Sequence, residues 1–139
     1  MLRLASITSA LLMLTTAAYA ADLTVTVNGV KNSSGSVAAA IFNAEANFPR
    51  GAPMGGFRMK ASGGPVTFTF RNLPSGKYAL TSFHDENDNG KLDADPTGLP
   101  TEGYGVSNDA REVLAPPQWA KASFDLTDQG KSITINLSY

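Results

Sequence analysis

The chain contains no cysteine and a single histidine. The first absence excludes disulfides, thiolate metal sites and cysteine nucleophiles. The second leaves too little imidazole for a transition-metal centre. No serine stands in a nucleophile-elbow pattern, and Gly103-x-Gly105 follows no strand–helix junction, so hydrolase-elbow and phosphate-loop signatures are both missing. An excess of charge of one sign is also lacking, with 11 basic against 12 acidic side chains and a net charge of −1. A nucleic-acid binder needs a basic face, which this balance does not supply. The one long apolar stretch, Leu4 to Ala18, is interrupted by Ser6, Thr8, Ser9, Thr15 and Thr16. It falls short of the roughly 20 strongly apolar residues that a bilayer span requires. There is no sustained repeat and no low-complexity tail.

That stretch has the form of a secretory signal. Met1-Leu2-Arg3 is a short positive start, Leu11 to Leu14 is the apolar centre, and Ala18-Tyr19-Ala20 fits the small-x-small cleavage pattern. Residues 1–20 are therefore expected to be a cleaved signal peptide, with no lipidation cysteine after it. Residues 21–139 are expected to be one domain, periplasmic or secreted, that does not span a membrane after cleavage. This length suits a single domain, since domains cluster at roughly 100–150 residues.

The pattern of the expected domain is that of strands. Leu23, Val25 and Val27 alternate with Thr24, Thr26 and Asn28, the period-two mark of a half-buried strand. Ser36 to Phe42 is small and apolar on both faces, which predicts a central strand. Phe57–Ala61, Val66–Arg71, Tyr78–Phe83, Trp119–Leu126 and Ile133–Leu137 complete about seven strands, with turn signals at Asn32–Gly35, Ser62–Gly64, Pro74–Gly76 and Asp128–Gly130. The expected fold class is all-β: a single β-sandwich of about seven antiparallel strands, immunoglobulin-like or prealbumin-like in outline.

Residues 84–95, His84-Asp85-Glu86-Asn87-Asp88-Asn89-Gly90-Lys91-Leu92-Asp93-Ala94-Asp95, hold five carboxylates against one lysine. Charges so dense repel unless they are solvated or bound to a cation. Asp85, Asn87 and Asn89 recur at every second position, Gly90 permits a sharp bend, and Lys91 and Asp93 follow. Calcium takes six to eight oxygen ligands, and this spacing offers side-chain oxygens from Asp85, Asn87, Asn89 and Asp93 with the carbonyl of Lys91. Pro96 stands where a bidentate glutamate would close such a loop, and Asp95 or Glu102 is the candidate replacement. A strand enters the loop, so it is not an EF-hand. The competing reading is an acidic surface turn with Asx hydrogen bonds from Asn87 and Asn89.

The run Asn72 to Leu80, the loop His84 to Asp93, and the run Gly98-Leu99-Pro100-Thr101-Glu102-Gly103-Tyr104-Gly105-Val106-Ser107-Asn108 together resemble domain-of-unknown-function family 2141, small exported bacterial proteins. The resemblance covers essentially all of residues 21–139, most specifically Leu73 to Asn108. It implies a periplasmic or secreted β-sandwich loosely similar to transthyretin-like domains, and no catalytic residue.

Other candidates have two readings each. His84 beside Asp85 is either a base oriented by a carboxylate or a strand-end residue bonded to the loop. Tyr104 between two glycines either offers an aromatic edge to a ligand or belongs to a loop folded over the ion site, with Glu102 helping to close it. Trp119 reads as core. The leading functional expectation is a non-enzymatic binding or accessory module, with calcium in the 84–95 loop and an unknown envelope or extracellular partner. The alternatives are a small hydrolase or ligand-converting enzyme using His84 and Asp85, and a purely structural surface protein.

Overall fold

The computed structural model describes residues 20–139. The expected signal peptide lies outside the described residues except for Ala20. Eight strands form: β1 (Ala20–Asn28), β2 (Ser36–Phe42), β3 (Gly55–Lys60), β4 (Val66–Pro74), β5 (Gly76–Asp85), β6 (Tyr104–Val106), β7 (Phe124–Leu126) and β8 (Lys131–Asn136). They build two sheets, β4-β1-β8 and β3-β2-β5-β6, with β7 added beside the start of β5.

Period-two alternation becomes a core because successive side chains leave a strand on opposite faces. Ala21, Leu23, Val25 and Val27 of β1 are buried, while Asp22 is exposed and Thr24 and Thr26 are partly so. They meet Val37, Ile41, Leu80 and Leu126 from the facing sheet and Ile135 from the neighbouring β8, all 2 % exposed or less. Each fully buried aliphatic side chain contributes about 1.5–3 kcal/mol, so these positions dominate the stability of the sandwich. β2 is central as its composition predicts, flanked by β3 and β5.

Three features depart from the expected pattern. β1 and β8 pair in parallel, from Leu23↔Lys131 to Asn28↔Asn136. Parallel neighbours need a long crossover, and here the whole domain between the first and last strands serves as one. Trp119 to Leu126 is not one strand: Trp119–Ala122 forms a short helix, α1, and only Phe124–Leu126 is extended. Ala-Lys-Ala favours helix locally. β6 emerges inside the polar crossover, where no alternating pattern announces it. Gly105 lets β6 lie against β8: a Cβ there would stand 2.5 Å from the Asn136 carbonyl oxygen.

A second, smaller cluster covers the outer face of the five-stranded sheet. Ala79, Val106, Ala110 and Ala122 are buried there, with Phe48, Tyr104 and Trp119 packed against them. Trp119 is thus partly buried packing, as its sequence reading suggests, though on a helix. Ser107 holds the layer in place just beyond the end of β6. Its hydroxyl accepts the Leu80 N–H at 3.0 Å and donates to the Ala122 carbonyl at 2.7 Å. Asn108 donates toward the carbonyls of Lys121, Ala122 and Ser123 at 3.0–3.3 Å. Ser107→Ala is expected to cost about 1–3 kcal/mol, because the buried Leu80 N–H and Ala122 carbonyl lose this partner. A thermal melt should show a fall of several degrees with the sandwich intact.

Candidate functional site

The acidic loop starts where β5 leaves the sheet. Asp85 pairs with Ser36 of β2, and Arg58 of β3 pairs with Ala38, so both side chains stand on the outer face. The small side chains of Ser36 and Ala38 leave Arg58 room to cross β2. Its Nη2 donates to Asp85 Oδ2 at 2.6 Å and to Asp88 Oδ1 at 2.8 Å. Asp85 is fully buried. Its Oδ2 also accepts the Gly90 N–H at 2.8 Å and its Oδ1 the Asn89 N–H at 3.1 Å. Burial pushes the Asp85 carboxyl up, but the guanidinium and the two N–H groups more than reverse this and hold it below the usual range. Gly90 adopts φ +80°, the left-handed conformation that a tight return needs.

Beyond Asp85 the turn closes on itself. Asn87 Oδ1 accepts the Asn89 N–H at 3.1 Å and Asn89 Oδ1 accepts the Lys91 N–H at 2.9 Å, two successive Asx turns. The carboxamides of Asn87 and Asn89 both donate to Asp93, at 2.6 and 2.8 Å. Asp85, Asn87, Asn89 and Asp93 therefore come together within one turn, as their spacing suggests, while the Lys91 side chain is exposed. Among the described residues no three histidine, cysteine, aspartate or glutamate side chains gather as a metal site. This turn brings together two carboxylates and two carboxamides.

Glu102 reaches in from the far limb of the crossover and is 5 % exposed. Its Oε1 accepts the Glu86 N–H at 2.9 Å and its Oε2 the Asp93 N–H at 3.0 Å. Asp95 serves a separate turn, accepting from the Thr97 hydroxyl at 2.6 Å and from the N–H groups of Thr97 and Leu99 at 2.8 and 3.1 Å. Those bonds, led by the Thr97 hydroxyl, hold the Asp95 carboxyl below its ordinary value. Sequence reasoning missed Arg58. It lies 27 residues from Asp85 along the chain, and only strand order brings the two together.

His84 and Asp85 do not form a pair. They are neighbours on a strand and point to opposite faces. His84 is fully buried. Its Nε2 lies 2.7 Å from the Ser34 carbonyl, which can only accept, so Nε2 carries a proton; Nδ1 meets the Tyr139 hydroxyl at 2.9 Å. The Tyr139 oxygen also accepts the Lys31 N–H at 3.1 Å, which ties the C-terminus to the sandwich. The ring thus has both nitrogens engaged and no exposure. Tyr104 lies half-buried on the outer face beside Phe83. Burial pushes its hydroxyl up to about 12, with Arg111 and Arg50 acting in the other direction.

The family model described as "Uncharacterized protein conserved in bacteria (DUF2141)" matches residues 25–134. The chain belongs to this family. The match runs from β1 into β8, so the DUF2141 region contains Arg58, the Asp85–Asp93 turn, Glu102 and the Ser107–Asn108 anchor. No curated protein and no solved structure matches the chain. No helix among the described residues is long and apolar enough to cross a membrane.

Proposed function

We propose that this DUF2141 protein is an exported, non-enzymatic binding or accessory module, periplasmic or secreted, whose 84–95 loop holds a calcium ion. Its outline is read as immunoglobulin-like or prealbumin-like, with the loop on one rim, where function on such folds usually resides. One observation carries the reading: Asp85, Asn87, Asn89 and Asp93 converge within a single turn, closed by the Asn87 and Asn89 contacts to Asp93. Turned oxygen-inward, those two carboxamides would join Asp85 and Asp93 as ligands, with the Lys91 carbonyl as a fifth. Glu102 is spent on backbone N–H groups and Asp95 on its own turn, so water would complete the shell. Arg58 shares Asp85 with the ion, which favours weak binding, in the roughly 10⁻⁴–10⁻³ M class of extracellular modules. The burial of His84, with both ring nitrogens engaged, supports a module rather than a hydrolase built on His84 and Asp85.

The test is a calcium titration followed by melting. At about tenfold excess over the dissociation constant, stabilisation should reach about 1.4 kcal/mol. That corresponds to a rise of about 4–8 °C for a small domain, and EGTA should reverse it. Asp93→Ala should abolish the rise while leaving the Asp85–Arg58 contact in place. A melting curve that ignores calcium rejects the site.

A further inference from the structure

We propose that a cleft on the outer face of the five-stranded sheet binds a small amphiphilic acid: an apolar body ending in one carboxylate that meets Arg50. This names a ligand for the binding module but does not depend on the calcium ion. The cleft measures about 590 Å³, within the range of small-molecule sites. Phe83 and Tyr104 form its floor. One wall is the crossover limb 92–100 and the other the segment 112–117. Leu99, Val113 and Leu114, 37 %, 67 % and 88 % exposed, belong to its lining. Three large apolar side chains left open to water around one concavity mark a binding surface, whereas singly scattered ones do not.

The charges in the cleft select an anion. Glu112, the carboxylate of the wall, is taken by Lys121 at 2.7 Å. Arg50 makes no ion pair or hydrogen bond among the described residues. The Tyr104 hydroxyl remains protonated at neutral pH and has no hydrogen-bond partner among the described residues. A guanidinium and a phenol donor beside apolar side chains, in a cleft of mixed lining, fit a carboxylate attached to an apolar body. An amine would meet Arg50 as a like charge, and an uncharged apolar molecule would leave the guanidinium unused.

The experiment uses 2-naphthoate as the probe, with 2-naphthylmethanol as its uncharged counterpart, followed by amide and methyl NMR shifts of the purified protein. Saturable shifts should centre on Leu99, Tyr104 and Leu114. The alcohol should bind about tenfold more weakly, and Arg50→Gln should remove that difference. Tyr104→Phe should weaken the acid several-fold without altering the melt. Equal binding of acid and alcohol, shifts scattered over the surface, or no binding of the acid would each overturn the proposal. So would line broadening of Val113 and Leu114 that grows with protein concentration alone, which would make the segment a self-association surface. Titrations run in EGTA and in calcium separate the two readings. Acid binding without a calcium shift sinks only the ion site, and the reverse outcome sinks only the cleft.

Discussion

Glu102→Ala is expected to loosen the whole acidic crossover. Two backbone N–H groups, those of Glu86 and Asp93, end on its two oxygens, and these contacts join the outgoing and returning limbs of the loop. Removing both acceptors costs about 2–4 kcal/mol, taking about 1–2 for each partly buried N–H left without a partner. For a domain of this size the melting temperature should fall by about 10 °C. Amide hydrogen exchange gives the sharper readout: Glu86 and Asp93 should lose protection first, with the β1 and β2 amides unchanged. Glu102→Gln should fall in between, because its single oxygen can accept only on one side. Unaltered exchange at both amides would show that Glu102 does not close the loop.

The second large effect concerns Asp85. Asp85→Ala strips the Asn89 and Gly90 N–H groups and Arg58 of a shared acceptor inside a buried site. The expected loss is about 2–4 kcal/mol, less than for a fully buried pair because the guanidinium left behind can reach water. The pH dependence follows from the same geometry. The folded carboxyl ionises below its ordinary value of 3.8, so the folded state binds fewer protons than the unfolded chain in that window. Its contribution is full above the unfolded value and is lost as pH falls through the folded one. Arg58→Met removes the guanidinium and leaves burial unopposed by it, so the acid limb of the melting curve should move to higher pH. Asp95 makes its bonds within its own turn and does not meet Arg58, so the difference between the two curves reports the loss of the Arg58 contacts to Asp85 and Asp88. Coincident acid limbs would rule out the Arg58–Asp85 contact as a source of stability.

Much of this was legible in the linear chain. The alternation of Leu23, Val25 and Val27 predicts the inner face of β1, and the small residues of Ser36–Phe42 predict a central strand. The Asp-x-Asn-x-Asn-Gly spacing predicts that Asp85, Asn87, Asn89 and Asp93 meet. The separation of His84 from Asp85 was not legible, because the alternation read from the sequence ends at Phe83; the structure continues β5 through Asp85 and so turns the two side chains to opposite faces. Other features were not legible. Trp119–Ala122 reads as strand by alternation, yet it is helical, and Ser107 and Asn108, more than ten residues away, hold its carbonyls. Arg58 looks like any exposed residue of an edge strand until β2, lying between β3 and β5, brings its guanidinium diagonally across to Asp85.

The sequence by itself determined which face of β1 is buried, that β2 is central, where the chain turns, and that Asn87 and Asn89 make Asx turns in the acidic loop. These depend on side-chain periodicity and on the backbone preferences of Gly and Asn, which act within a few residues. The tertiary structure decided which cation meets Asp85, that Glu102 clamps the loop, that β8 lies parallel to β1, and that Phe83 and Tyr104 share the floor of one cleft. Those outcomes depend on strand order and register, which arise from packing the whole core at once and leave no signal in any short stretch of chain.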